Sequence, residues 1–126
     1  MYYLVHLALP LLVVLAMTIA GAPPEMTTSG LEQALEHFAL TYLALSVPHW
    51  IWASISAYFE ASENSTVGGF VGLHILLVVT TLMVFMSRAP EAANAWFIYY
   101  LGAPIAIALG VLAKRYIAAW KKKQLA

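Results

Sequence analysis

The sequence predicts an all-α fold, a polytopic membrane protein built as a bundle of four transmembrane helices, and three observations predict it. Of the 126 residues, 63% are hydrophobic and only 10% charged, where a soluble domain carries about 25% charged residues. Mean hydropathy is +0.82. The apolar residues also gather into four runs close to the about 20 residues that a helix needs to cross a bilayer.

The first run covers residues 2–21. Ala20-Gly21-Ala22 resembles a signal-cleavage site, but no Lys or Arg precedes the apolar stretch, so the span is expected to be retained. Gly21, Pro23, Pro24 and Gly30 interrupt the chain next. The second helix is expected to begin before its membrane span of 37–59. Ser29 and Glu32 have the S-x-x-E spacing of a capping box, in which each side chain satisfies an orphan backbone donor. Leu31, Leu35 and Phe38 then share one face, with Glu32, Glu36 and His37 on the polar side, as in a segment lying against headgroups. Glu60 to Thr66 form the second connection, 67–87 the third span, and Arg88, Pro90 and Asn94 mark the third connection. The fourth span covers 95–113 and a basic tail covers 114–126. Connections this short leave no room for another domain, so residues 1–126 form a single transmembrane domain.

Lys and Arg flank spans on the cytoplasmic side. Lys114, Arg115 and Lys121 to Lys123 all follow the last span, which predicts a cytoplasmic C-terminus and, after four crossings, a cytoplasmic N-terminus. Tyr2, Tyr3, Tyr58, Tyr116 and Trp120 then sit near the inner interface, and Trp96, Tyr99 and Tyr100 towards the outer one. The localisation this implies is a bacterial inner membrane, with the lipid bilayer as the first partner and other membrane subunits, or further copies of the chain, as the second. The tail can also hold anionic headgroups. Asn64-Ser65-Thr66 matches a glycosylation sequon but falls on the cytoplasmic side of this topology.

Several classes of function are disfavoured. Without Cys there is no thiolate metal site or dithiol centre. The only basic run is Lys121-Lys122-Lys123, which makes no nucleic-acid surface. All six acids are Glu and stand in connections or at span ends, whereas proton- and cation-coupled carriers usually hold an acid inside the bundle. In size and span count the chain is similar to the small multidrug transporters, but those rely on a Glu in the first helix, and this first helix has none. Enzyme chemistry is the least supported class. No Ser–His–acid group shares one depth, Gly68-Gly69 lacks the Lys of a phosphate loop, and Glu60 lies about 16 Å of helix axis from His49.

Histidine is the one ionisable type inside the spans. Counted from the expected inner boundary, His6 lies at a depth of about 6 Å, His74 about 9 Å and His49 about 15 Å. His49, Ser56 and Glu60 share an arc of the second helix, and His74, Thr81 and Arg88 recur every seven residues on the third. Such polar stripes commonly fix packing by hydrogen bonding between helices. The sharper reading is a ligand site, since neutral imidazole binds iron, copper and zinc. His6 and His74 meet the requirement of a b-type haem for two axial imidazoles on different helices, with His49 as a further ligand candidate. Met17, Met26, Met83 and Met86 map to the outer half and, with the histidines, sketch a copper path, although methionine more often fills apolar gaps.

Pro10, Pro48 and Pro104 fall within spans and lack the amide that pairs with the carbonyl four residues earlier, at His6, Ala44 and Tyr100, so each predicts a kink. Trp50 and Trp52 place two indoles near mid-membrane, where at least one N–H must point inward to find a partner. Gly68, Gly69 and Gly72 open the third span, and Gly102, Ala106 and Gly110 recur every four residues on the fourth. Small residues let helices approach closely, which matters where lipid removes the hydrophobic drive. The expectation that follows is a non-enzymatic membrane component acting through helix–helix contact, as an accessory subunit or homo-oligomer. Haem or copper binding for electron transfer or metal handling, and a small channel or carrier, stand as alternatives.

Overall fold

The computed structural model describes residues 2–21, 28–86 and 95–125, and these are helical almost throughout. Helix α1 covers Tyr2–Gly21, α2 Thr28–Tyr58, α3 Glu63–Met86 and α4 Ala95–Gln124, and no strand occurs among the described residues. Pro23, Pro24, Met26, Arg88, Pro90, Asn94, the Ala22 end of the signal-like tripeptide and the Ser29 side chain lie outside what is described.

Among the described residues, three helices are long and apolar enough to cross a membrane, through the stretches Leu35–Tyr58, Glu63–Val84 and Trp96–Gln124. In α1 the described apolar stretch is shorter, Ala8–Met17. Helices α3 and α4 depart from the boundaries the sequence predicts. Helix α3 begins at Glu63 rather than at 67, because Ser62 caps it: its carbonyl accepts the Thr66 amide at 2.9 Å, and its Oγ lies 3.0 Å from Ser65 Oγ. Glu63 in the first turn complements the helix dipole. Helix α4 continues to Gln124 through the segment read as a tail. Lys and Arg are good helix formers, nothing interrupts them, and Lys121 to Lys123 in the last turn oppose the negative end of the dipole.

Between α2 and α3 the chain turns within four residues. Glu60 adopts φ 48°, its amide donates to the Ala57 carbonyl at 3.3 Å, and the Ala61 amide reaches the Ser56 carbonyl at 2.9 Å. These are the two bonds of a Schellman motif, with a glutamate in the left-handed position that glycine usually takes.

The chain divides into two compact units, Met1–Val47 and Pro48–Ala126. In the first, Pro10 and Val14 are buried on one face of α1, and Leu45 and Ser46 are buried on α2. Ser46 Oγ donates back to the Tyr42 carbonyl at 2.6 Å. In the second, the last turns of α2, α3 and α4 enclose Phe70, Leu73, Leu77, Tyr99 and Ala103 together with His49, Ser56, Thr66 and Thr80. Large apolar residues such as Ile51, Ile75, Leu82, Leu101 and Leu109 point outward. Polar groups inside and bare hydrocarbon outside suit a solvent of lipid tails.

Small residues set the distance between α3 and α4. A Cβ added to Gly68 would come within 2.5 Å of the Gly110 carbonyl oxygen, and one added to Gly72 would collide with the Ala106 carbonyl. Gly110 would in turn strike the carbonyl of Gly68. Gly69, one residue along and about 100° around the helix, faces the Trp52 indole instead, and Gly102 faces the Leu76 side chain, with a Cβ–Cδ2 approach of 3.2 Å.

Candidate functional site

The polar interior of the second unit centres on His49. It follows Pro48 on α2 and shares a face with Trp52 and Ser56, at i, i+3 and i+7. His49 is fully buried and Ser56 is 1% exposed. Ser56 Oγ donates to the Ala53 carbonyl of its own helix at 3.1 Å, so the imidazole and the Trp52 N–H are the polar groups that this face turns to its neighbours.

From α3, His74 stacks on His49 with ring centroids 5.2 Å apart and an interplanar angle of 26°. Phe70, one turn earlier on α3, completes the layer at 6.3 Å from His49 and 6.4 Å from His74. From α4, the Tyr99 hydroxyl lies 3.1 Å from His49 Nδ1, and either group can donate according to the tautomer. Tyr99 is itself fully buried, with Trp96 and Tyr100 edge-on to its ring at 6.4 and 5.6 Å. Three helices therefore each contribute one hydrogen-bonding ring to a single cluster.

The arrangement limits the chemistry. Stacked with centroids 5.2 Å apart, the two rings turn their faces rather than their nitrogens towards each other, so a haem iron cannot be held between them. A haem on His74 would have to take its second ligand from elsewhere. No group of three or more His, Cys, Asp or Glu side chains placed to hold a metal ion occurs among the described residues.

Sequence reading placed His49 and His74 at depths about 6 Å apart, whereas the structure stacks them. The early start of α3 accounts for the change. His74 lies eleven residues from Glu63 and His49 nine residues from Tyr58, which is about 16 Å and about 13 Å along the respective axes. His6 is half-buried in the first unit.

Tyr99 corrects another expectation. Read as an aromatic of the outer interface, it is instead the hydrogen-bond partner of His49, because at the end of a span an amphipathic ring serves equally well at a headgroup or at a buried polar atom. The recurrence of Tyr99, Ala103, Ala106 and Gly110 along the small-residue face of α4 was the available signal. Of the two indoles, Trp52 turns inward and donates its N–H to the Thr66 carbonyl at 3.0 Å, while Trp50 is exposed. Thr81 donates to the Leu77 carbonyl of its own helix at 2.7 Å; the fully enclosed hydroxyl is that of Thr80, whose Oγ1 has no hydrogen-bond partner among the described residues. Glu60 lies beyond the end of α2, exposed, and takes no part in the cluster.

No protein-family model matches the chain, and comparison with curated proteins and with solved structures finds no match.

Proposed function

We propose that the chain is a four-span integral membrane protein, with both termini in the cytoplasm of a bacterial cell, that works through helix–helix contact as an accessory subunit or a homo-oligomer. The observation behind this reading is the outer face of α4. Only 11% of its apolar stretch is buried within the chain, against 39% for α3. Phe97, Leu101, Ile105, Leu109 and Leu112 run along the helix, all exposed, which is a surface of a length that a further helix can cover. The polar cluster supports the same reading, since protein side chains close around it and hold the three helices in one register.

A photoreactive residue introduced at Leu101 or Ile105 should crosslink in native membranes to another chain or to a second copy. Monomer alone in both variants, with a monomer in native mass spectrometry, would refute the proposal. A second reading, copper on His49 and His74 or haem on His74, draws on the stacking of a half-buried imidazole, His74, on the buried His49. It predicts a Soret band or stoichiometric copper in protein purified from a replete source, and a colourless, metal-free preparation would reject it.

A further inference from the structure

Beside the seam of α3 and α4 runs a groove of about 470 Å³, entirely within the second unit. Gly72 and Gly110 form its floor, and Val71, Ile75, Leu109 and Ile117 its walls. Lys114 is the one charged residue in the lining and is half-buried. Because Gly68 opposes Gly110 and Gly72 opposes Ala106, the helices are antiparallel, and Lys114 lies within one turn of the end farthest from Val79, where Ile117 is the last lining residue. Seven residues of α3 beyond Gly72 and eight of α4 beyond Ala106 give a length of about 22 Å, enough for an acyl chain that crosses one leaflet of about 15 Å.

We propose that this groove binds one acyl chain of an anionic phospholipid, whose phosphate is held by Lys114. The inference assumes the membrane-spanning reading above and adds a ligand to it. An apolar trough with its one cation near an end matches a molecule that is apolar along its length and anionic at one end. Glu63 stands at the same level on α3 but is exposed and forms no ion pair with Lys114. A second copy fits less well: with the same topology it brings its own Lys114 and Arg115 to that depth, cation beside cation. A lysine within reach of a lipid phosphate favours anionic over zwitterionic headgroups by about fivefold.

The test is native mass spectrometry of the full chain released from nanodiscs of equimolar phosphatidylglycerol and phosphatidylcholine. The retained lipid should be enriched in phosphatidylglycerol about fivefold. Lys114→Gln should bring the ratio to one, while Lys122→Gln, in the terminal turns outside the groove, should keep it. Leu109→Trp, at a position 62% exposed and so tolerant of bulk, should fill the trough and lose both lipids. Equal retention of the two lipids by the wild type, an unchanged ratio in Lys114→Gln, or an equal loss in Lys122→Gln would overturn the proposal, as would displacement by millimolar inorganic phosphate, the mark of a plain anion site. Extraction of the chain from membranes by alkaline carbonate would defeat the spanning reading itself. A chain that stays embedded but shows no lipid preference would defeat the lipid site alone.

Discussion

On its α4 side, α3 offers backbone: Gly68 and Gly72 lie against the carbonyls of Gly110 and Ala106, with no side chain between. On its α2 side, Gly69 leaves a hollow for the Trp52 indole, and Phe70 and His74 set their rings against His49. Both contacts join helices in a solvent that contributes little hydrophobic drive. The first does so through dispersion at short range, which is all-or-none in its steric demand. The second uses hydrogen bonds and ring stacking, which can be removed one at a time. The seam should therefore fail abruptly under substitution, and the aromatic contact in graded steps.

The largest effect is expected at the seam. Gly72→Leu drives a side chain into the Ala106 backbone, which cannot give way as a flexible side chain can, and should destabilise by more than about 3 kcal/mol. Unfolding of the detergent-solubilised protein in SDS would measure this. Gly102→Ala is its control: the new methyl meets only the end of the Leu76 side chain, and stability should change by less than about 1 kcal/mol. Equal losses at the two glycines would erase the distinction between seam and surface.

The aromatic contact is sharpened by a double-mutant cycle. His49→Phe preserves a ring against His74 but takes the hydrogen bond from the buried Tyr99 hydroxyl, a loss of about 1–3 kcal/mol. Tyr99→Phe alone should cost less, and the pair together less than the sum, with a coupling of about 1 kcal/mol in the same unfolding assay. Strict additivity would mean that the 3.1 Å contact carries no energy.

Most of the helical framework is legible in the sequence, because length and apolarity determine it with little help from tertiary contacts. The ends are less so. Ser62 begins α3 ahead of the apolar run, and α4 carries its helix through five cations, since hydropathy records where lipid is tolerated rather than where backbone hydrogen bonds stop. The small residues mark close approach in the sequence, but which neighbour each one meets is a property of the helix face, and adjacent Gly68 and Gly69 meet different helices. The His49–His74 pair was obscured by the same boundary shift, and Tyr99 by the ambiguity of an aromatic near the end of a span.

Two smaller predictions refine the contrast between enclosed and open positions. Thr80→Val removes a buried hydroxyl that has no partner among the described residues and keeps the shape of the side chain, so it should stabilise the protein by about 1 kcal/mol. A destabilising outcome would reveal a water or neighbour bonded to Oγ1. At the exposed turn, Glu60→Gly relieves a left-handed φ of 48° and should gain less than about 1 kcal/mol, since glycine also loosens the unfolded chain. A loss there would assign the glutamate a contact of its own.

The unbroken course of α4 from Gly110 to Gln124 has a mechanical consequence. No swivel separates the cationic turns from the glycine contact, so they form one stiff rod. Whatever grips Lys121 to Lys123, be it a charged surface or another polypeptide, also tilts or rotates the turn where Gly110 touches Gly68. An event beyond the membrane is thus conveyed inward by rigidity alone.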